Sequence, residues 1–333
     1  MELDDLRPGE QPQKPSVFTL RDLIACWVGT IVPGVIVYLT WHFYDSRGQR
    51  DNFYGYGIFL FIPFLAGAIA GAISNWKVAT PRATSWLSGL LINCLCFVGL
   101  LAFGIEGVVC IAMAFPLTYP IITGGAFVSR AFLAFCRSKP RILVSSVPVL
   151  VAIGAGTALA NPGFMTRTES TTMIIDAPPE KIWPYLFELG VLPAPDHWMF
   201  KTGIAYTNGT HAGGQSVGAW RQCLLTTGVM NETISAVEPN RYLRFKVLNT
   251  PPSMKESNPF YDIHPRHESG CFKVDWGEFR LEPLPGGRTR FTGTSSYAYN
   301  IFPGWYWGLY TDTVAEQIHV RMMGEIKRRV EKR

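Results

Sequence analysis

Charged side chains are scarce in this sequence. Only 17% of the 333 residues are Asp, Glu, Lys or Arg, whereas 48% are hydrophobic, a high share for a soluble protein. The net charge is +5, and the Lys and Arg residues are scattered along the chain. Because a nucleic-acid-binding surface needs clustered basic residues with interleaved aromatics, no nucleic-acid partner is predicted.

Several motifs that carry chemistry are also missing. The sequence has no phosphate-binding loop, no nucleotide-binding fingerprint and no Ser-His-Asp arrangement. Among its 7 cysteines there is no pair with metal-site spacing. All but Cys223 and Cys271 lie in or beside long apolar runs, and these two are predicted to be free thiols on strands that are not neighbours. Consequently, no metal and no cofactor is predicted.

Long apolar runs fill the first half of the sequence. A helix that crosses the hydrocarbon core of a bilayer needs roughly 20 apolar residues. Five stretches before Asn161 reach this length, and the last is rich in Gly, Ala and Ser and contains Pro148. The predicted spans are residues 20–44, 53–74, 84–103, 107–135 and 142–160, after an N-terminal tail at 1–19.

The fifth stretch decides the predicted topology. It ends in Ala158-Leu159-Ala160, which also resembles a signal-peptidase site, but a cleavable signal so far inside a chain is unusual, so a spanning helix is favoured. Because Lys and Arg resist translocation, their excess in alternate loops predicts a cytoplasmic N-terminus. With five spans the C-terminal domain is extracytoplasmic, and it is cytoplasmic if 142–160 does not span.

The apolar half contains few groups that could carry chemistry. Glu106 lies beside Gly104 and Gly107, at the expected turn between the third and fourth spans, where an interfacial acid and a buried proton site are the alternatives. The Gly67 and Gly71 pair is typical of a small-residue helix contact. Nothing resembles an ion filter or a transporter core, so this half is predicted to be an anchor or a lipid-facing partner.

After Asn161 the pattern changes to that of a soluble α+β domain. A short linker, residues 161–168, precedes a domain predicted for residues 169–333. Every fourth residue from Val314 to Val330 is apolar, which predicts a long helix whose stripe covers a sheet. The prolines before residues 180–183 predict a short helix there. Alternating apolar residues, divided by turn residues, predict antiparallel strands at 171–176, 201–206, 217–226, 232–237, 242–248, 271–281 and 289–299.

The start and end of this domain carry a resemblance. Residues 174–183, IIDAPPEKIW, resemble the opening of the START-like superfamily of polyketide cyclases and lipid-transfer proteins (SRPBCC). The segment from Tyr306-Trp307 through His319 and on to Glu325-Ile326-Lys327 is similar to its closing helix. The resemblance covers residues 169–333. It implies a helix-grip fold, in which a curved antiparallel sheet wraps around a long C-terminal helix. It also implies a deep apolar cavity suited to a lipid, sterol, isoprenoid or polyketide.

A charged stretch after several prolines holds the candidate catalytic residues His264, His267 and Asp262. Together with Glu268 they could bind a metal or supply a general base that a carboxylate orients. The spacing of the two histidines is not a standard zinc spacing and would need a third, distant ligand. A lid loop over the cavity mouth is the simpler alternative.

Aromatic and polar residues of the strands and the last helix are candidates for lining a ligand pocket, although core packing is the alternative for each. The candidate ligand-binding residues are Trp220, Arg221, Trp276, Tyr297, Tyr299 and His319.

Three functions are compatible with the predicted fold and candidate residues. The favoured one is membrane-tethered binding or transfer of a hydrophobic small molecule, such as a lipid, an isoprenoid or a polyketide-like compound. One alternative is a cyclase, dehydratase or hydrolase that uses His264 or His267 for proton transfer, and a further alternative is a ligand sensor. The predicted partners are therefore a hydrophobic small molecule or lipid and the bilayer. The oligomeric state is left open.

Overall fold

Long apolar helices form the first half of the protein. The computed structural model describes residues 18–46, 55–136, 153–154, 156 and 163–331. Within these residues, four helices are long and apolar enough to cross a membrane. They are α1 (Leu20–Ser46), α2 (Gly57–Asn75, π-helical at its start), α3 (Arg82–Ala102) and α4 (Val108–Cys136). The fifth predicted span, residues 142–160, lies outside the described residues except at positions 153, 154 and 156.

Small and capping residues determine how these helices begin and pack. At the start of α1, the Thr19 backbone N–H donates to the Asp22 carboxylate at 2.8 Å and the Asp22 N–H donates to Thr19 Oγ1 at 3.4 Å, a reciprocal capping box. Between α2 and α4, a Cβ added to Gly67 would lie 1.7 Å from the Ile122 carbonyl oxygen. The two backbones therefore approach closely only because this position is glycine.

An antiparallel sheet dominates the second half. Within the described residues it has seven strands in the order β1-β7-β6-β5-β4-β3-β2. Consecutive strands from β2 to β7 are neighbours, which confirms the predicted meander, and β1 closes the far edge against β7. The strands are β1 (Met165–Ile175), β2 (Thr207–Ala212), β3 (Trp220–Leu225), β4 (Gly228–Glu238), β5 (Tyr242–Val247), β6 (Phe272–Leu284) and β7 (Arg288–Tyr299).

The sheet curls around the closing helix, which confirms the helix-grip fold. A short helix, α5 (Pro179–Ile182), follows β1, and the long helix α6 (Gly304–Glu331) ends the chain. Met323 and Ile326 of α6 are fully buried in one apolar cluster with Phe279 and Phe291 of the sheet. Burial of each such side chain stabilises the fold by about 1.5–3 kcal/mol, so the predicted stripe does cover the sheet.

Two expectations about individual segments have clear outcomes. The predicted strand at 201–206 is wrong, because Trp198–Thr202 forms a 3-10 turn and the strand begins only at Thr207. Gly203 has a φ of 102°, a conformation that ends the turn and is costly for other residues. The prediction of a free thiol is confirmed for Cys223.

Candidate functional site

A cavity of about 230 Å³ lies between the sheet, the helix α6 and the first two turns of α4. Most of its wall is apolar and comes from both the sheet and α6. Cys110 and Met113 of α4 complete the wall, so the cavity is shared between the two halves of the protein. The apolar wall includes Met230, Phe245, Phe272, Phe279, Ala315, Ile318 and Met322.

Hydrogen bonds hold the turn between α3 and α4 against the loop that precedes β6. The Val108 N–H donates to the Ser257 carbonyl at 2.8 Å. The side-chain amide of Asn258 donates to the carbonyls of Leu101, at 3.0 Å, and Glu106, at 3.1 Å. Carbonyls in the last turn of a helix lack their usual partner, and Asn258 gives the Leu101 carbonyl an additional donor from the other half of the protein.

The start of α6 also contacts the apolar helices, and these contacts together with the hydrogen bonds of the α3–α4 turn form the junction between the two halves. The hydroxyl of Tyr306 donates to the Met113 carbonyl of α4. Trp307 packs edge-on against Phe59 of α2, with ring centroids 5.1 Å apart. Buried residues of the two halves therefore form a common cluster, with Ala114 and Leu117 on one side and Tyr306 and Trp307 on the other.

His267 is the central residue of a cluster of polar side chains, which lies where the junction meets the cavity. Its Nε2 is 2.9 Å from Cys110 Sγ and 3.8 Å from Glu256 Oε1, and its Nδ1 is 3.4 Å from Glu106 Oε2. The Cys110 N–H also donates to Glu256 Oε1 at 3.0 Å. His267 and Glu256 are both buried. These residues come from the α3–α4 turn, from the first turn of α4 and from the loop before β6.

The ionisation of this group follows from its neighbours. Burial opposes a charge on His267, but its bonds with Cys110, Glu106 and Glu256 raise its pKa well above the ordinary value. Burial likewise opposes ionisation of Glu256, yet His267 and Cys110 lower the pKa of this carboxyl. A buried carboxylate beside an imidazolium is the expected state of this pair.

Of the three candidate catalytic residues, the structure brings His267 to the cavity wall. The side chain of His264 is 71% exposed, and its Nδ1 lies 3.6 Å from Glu268 Oε2. Asp262 is exposed in the same loop. Neither His264 nor Asp262 is among the described residues that line the cavity.

Four of the six candidate ligand-binding residues line the cavity, namely Arg221, Tyr297, Tyr299 and His319. The other two are not among the described lining residues. Trp220 is 54% exposed, because it precedes Arg221 on β3 and adjacent strand residues face opposite sides. The Arg244 guanidinium lies over the ring of Trp276, 4.0 Å from the ring centroid.

Arg221 forms a buried ion pair with Glu232, a residue that was not among the candidates predicted from the sequence. Its guanidinium bonds to the Glu232 carboxylate and, through Nε, to the Leu186 carbonyl at 3.1 Å. It also lies 4.5 Å from the centroid of the Phe245 ring. Burial raises the pKa of Glu232, and Arg221 opposes that rise. Because Arg221 and Glu232 are direct partners across β3 and β4, the alternation of the two strands could have identified Glu232.

Two further polar groups lie on the α6 side of the cavity. His319 is bonded through Nδ1 to Thr171 Oγ1 at 3.1 Å and through Nε2 to Ser295 Oγ at 2.8 Å, and burial lowers its pKa to about 4. The Tyr297 hydroxyl donates a hydrogen bond to the Asp312 carboxylate, which also accepts one from Arg167. A neutral His319 can both donate and accept a hydrogen bond at neutral pH.

Comparison with known proteins identifies the C-terminal half. Residues 166–331 match the profile of the family described as polyketide cyclase / dehydrase and lipid transport. The C-terminal domain belongs to this family. No curated protein matches the sequence.

Solved structures similar to this cyclase-family domain have low sequence identity. An aromatase/cyclase from Streptomyces sp. R1128 is 14% identical, over 50% of this chain and 94% of its own, with a TM-score of 0.33. Norcoclaurine synthase from Thalictrum flavum is 10% identical, over 53% and 99%, with a TM-score of 0.33. A protein from Mesorhizobium loti is 18% identical, over 49% and 95%, with a TM-score of 0.29. Similarity at this level says nothing about the ligand of this protein.

The cavity of the cyclase-family domain combines an apolar volume with a few fixed polar groups. Arg221 with Glu232 lies on the sheet, His319 with Ser295 lies under α6, and His267 with Cys110 lies at the junction. Such a wall can hold a mainly hydrophobic molecule and orient it by one or two polar atoms. Donor and acceptor groups are present for proton transfer as well, so the wall is compatible with both binding and chemistry.

Proposed function

We propose that this protein binds a hydrophobic small molecule of lipid, isoprenoid or polyketide-like class and exchanges it with the membrane in which α1–α4 lie. One observation carries the proposal. The cavity wall includes Cys110 and Met113 of α4 together with residues of the sheet and α6, and α4 is apolar and long enough to cross a bilayer. An apolar molecule that moved between membrane and cavity along α4 would need no passage through water.

The polar residues of the wall support a ligand with a small polar portion. Arg221 is already neutralised by Glu232, and burial keeps His319 neutral at physiological pH. A fully charged headgroup would therefore find no uncompensated opposite charge at either residue. A hydroxyl, carbonyl or amide could exchange hydrogen bonds with them at much lower cost.

Native mass spectrometry of the full-length protein, extracted in its own lipids, tests the binding. An Ala315→Trp variant fills the cavity, because Ala315 of α6 lines it. Its matched control is Val320→Trp, at an exposed position of the same helix. We expect a co-purifying lipid-like mass on the wild type and on Val320→Trp, and about tenfold less on Ala315→Trp. No retained mass across a broad lipid panel would refute the proposal.

A second candidate function is a cyclase-, dehydratase- or hydrolase-type enzyme. His267 supports it, because this histidine meets the cavity and contacts two carboxylates and a thiol. A His267→Gln variant with His264→Gln as control separates the alternatives once a bound molecule is known. Loss of turnover in the first variant alone favours the enzyme, and retained ligand without turnover in all proteins favours the carrier.

A ligand sensor is the third candidate, and the bonds between the cavity wall and the α3–α4 turn support it. In a sensor, ligand occupancy would change the docking of this turn. Hydrogen exchange of residues 101–113, compared between the ligand-bound wild type and the Ala315→Trp variant, which cannot hold the ligand, tests this idea. Equal exchange in both samples would argue against it.

The proposed topology retains five spans within residues 20–160 and an extracytoplasmic domain at 169–333. Loop charge supports a cytoplasmic N-terminus, and four described helices are compatible with spans. A reporter fused after Arg333 tests the side of the membrane. Fluorescence from a reporter that folds only in the cytoplasm would refute the five-span topology and favour four spans.

A further inference from the structure

Four side chains with metal-binding atoms converge where the α3–α4 turn meets the cavity. Potential ligand atoms of Glu106, Cys110 and His267 lie within 4.8 Å of one another. Glu256 Oε1 lies 3.8 Å from His267 Nε2, the same nitrogen that Cys110 Sγ approaches at 2.9 Å. Thiolate, imidazole and carboxylate are the three ligand types of zinc sites.

The carboxylates take different positions around the imidazole. Glu256 faces Nε2, on the side of Cys110, whereas Glu106 faces Nδ1 at 3.4 Å. A histidine that binds a metal through one nitrogen commonly donates the N–H of the other to a carboxylate. In this arrangement Cys110, His267 Nε2 and Glu256 are the ligands and Glu106 is the positioning residue.

The burial and hydrogen bonding of Glu256 point to the same conclusion. Glu256 is 4% exposed, and its Oε2 is buried without a hydrogen-bond partner among the described residues. A buried polar atom without a partner is costly, and a bound divalent cation would supply that partner.

The distances suit an ion of moderate size. With bond lengths of about 2.0–2.3 Å, ligands in a tetrahedral zinc site lie about 3.3–3.7 Å apart. The separations of 2.9 Å and 3.8 Å about His267 Nε2 bracket that range.

We propose that Cys110, His267 and Glu256 form a site for a divalent transition-metal ion, of which zinc fits best, with its remaining coordination position directed toward the cavity. Cys110 and His267 both line the cavity, so a polar atom of a bound molecule or a water can complete the coordination. Three protein ligands with one open position are typical of zinc sites that act on a ligand rather than only stabilise a fold. The ion also joins α4 to the cyclase-family domain.

The test uses the full-length protein in detergent, purified through a tag without histidines and loaded with Zn²⁺ or Co²⁺. Cys110→Ser and His267→Gln remove ligands from opposite sides of the junction. Their matched controls are Cys94→Ser, at an exposed cysteine of α3, and His264→Gln, three residues from His267 and exposed. Metal content is measured by mass spectrometry, and Zn²⁺ affinity by competition with a chelator.

We expect a single equivalent of zinc on the wild type and on both controls. Affinity should fall more than about 100-fold in Cys110→Ser and His267→Gln, and about 10–100-fold in Glu106→Gln. The Co²⁺ form should show thiolate-to-metal charge-transfer absorption that Cys110→Ser abolishes and Glu256→Gln retains at reduced affinity. Helical circular dichroism and elution volume verify that each variant is folded.

Two results would overturn the proposal. One is a wild type that takes up no stoichiometric Zn²⁺ and shows no charge-transfer band with Co²⁺. The other is equal zinc content and affinity in the wild type, Cys110→Ser and His267→Gln, which would place any bound metal elsewhere. Because binding is measured with the ions alone, the result does not depend on the identity of the hydrophobic ligand or on the proposed function.

Discussion

The Sγ atom of Cys110 lies 2.9 Å from Nε2 of His267, although 157 positions separate the two residues in the chain. One belongs to the first turn of a potential membrane helix and the other to the loop before β6. The contact therefore makes the end of the cavity a joint product of both halves. A change on either side should alter the other, and the glycine next to Glu106 offers a direct way to test this.

We expect Gly107→Ala to disrupt the junction. A Cβ at this position would lie 2.0 Å from Glu256 Oε2 and 2.9 Å from Glu256 Cβ. The carboxylate must then leave its place beside Cys110, at a cost of about 1–3 kcal/mol. The thermal unfolding midpoint of the full-length protein in detergent measures the loss.

The control for this variant is Gly99→Ala in α3, where an added Cβ meets nothing within 4 Å. Alanine favours a helix over glycine by about 0.5–1 kcal/mol, so this variant should be as stable as the wild type or slightly more so. Equal midpoints for Gly107→Ala and Gly99→Ala would mean that Glu256 is not packed against the turn.

The buried pair Arg221–Glu232 should be sensitive to loss of either partner. Removing one partner from a buried ion pair costs about 3–5 kcal/mol, whereas replacing both by apolar residues can be almost neutral. We therefore expect Arg221→Met to lower the unfolding midpoint strongly and Arg221→Met/Glu232→Leu to recover most of the loss. Thermal unfolding of the three proteins under one condition gives the comparison.

An exposed pair provides the contrast. Arg290 and Glu282 are 2.9 Å apart with side chains 48% and 55% exposed, and such pairs contribute about 0–1 kcal/mol. Glu282→Gln should therefore have little effect. If Arg221→Met were as mild as Glu282→Gln, the guanidinium would not be needed to compensate the buried Glu232 carboxylate.

The alternation of the strands explains which parts of the site the sequence could reveal. Tyr297 and Tyr299 are two positions apart on β7 and share a face, and His319 belongs to the apolar side of α6, so local periodicity led to them. The contacts of His267 with Glu106 and Cys110 could not be found in this way. They join segments that are distant in the chain, and no periodic pattern relates a helix start to a loop in another domain.

The contact between α2 and α4 should depend on Gly67. A side chain at this position meets the backbone of Ile122, and its Cβ would lie 1.7 Å from the carbonyl oxygen. Gly67→Leu should separate the two helices and lower the unfolding midpoint by the equivalent of about 1–3 kcal/mol or more. Gly124→Leu on α4, where a Cβ meets nothing within 4 Å, is the matched control, and a similar loss in both variants would contradict the close contact.

His319 should make the stability of the protein depend on pH in the mildly acidic range. Burial lowers its pKa from 6.5 to about 4, so between these values the unfolded chain binds a proton that the folded protein does not. The neutral imidazole therefore stabilises the fold fully above about pH 6.5, and this contribution decreases as pH falls toward 4, by up to about 3 kcal/mol.

His319→Gln removes the titrating group while retaining donors and acceptors for Thr171 and Ser295. The difference in unfolding free energy between wild type and His319→Gln, in which the titrations of other groups largely cancel, should shift against the wild type on acidification. A difference that stays constant from about pH 7 to about pH 4.5 would show that His319 is not held neutral by burial.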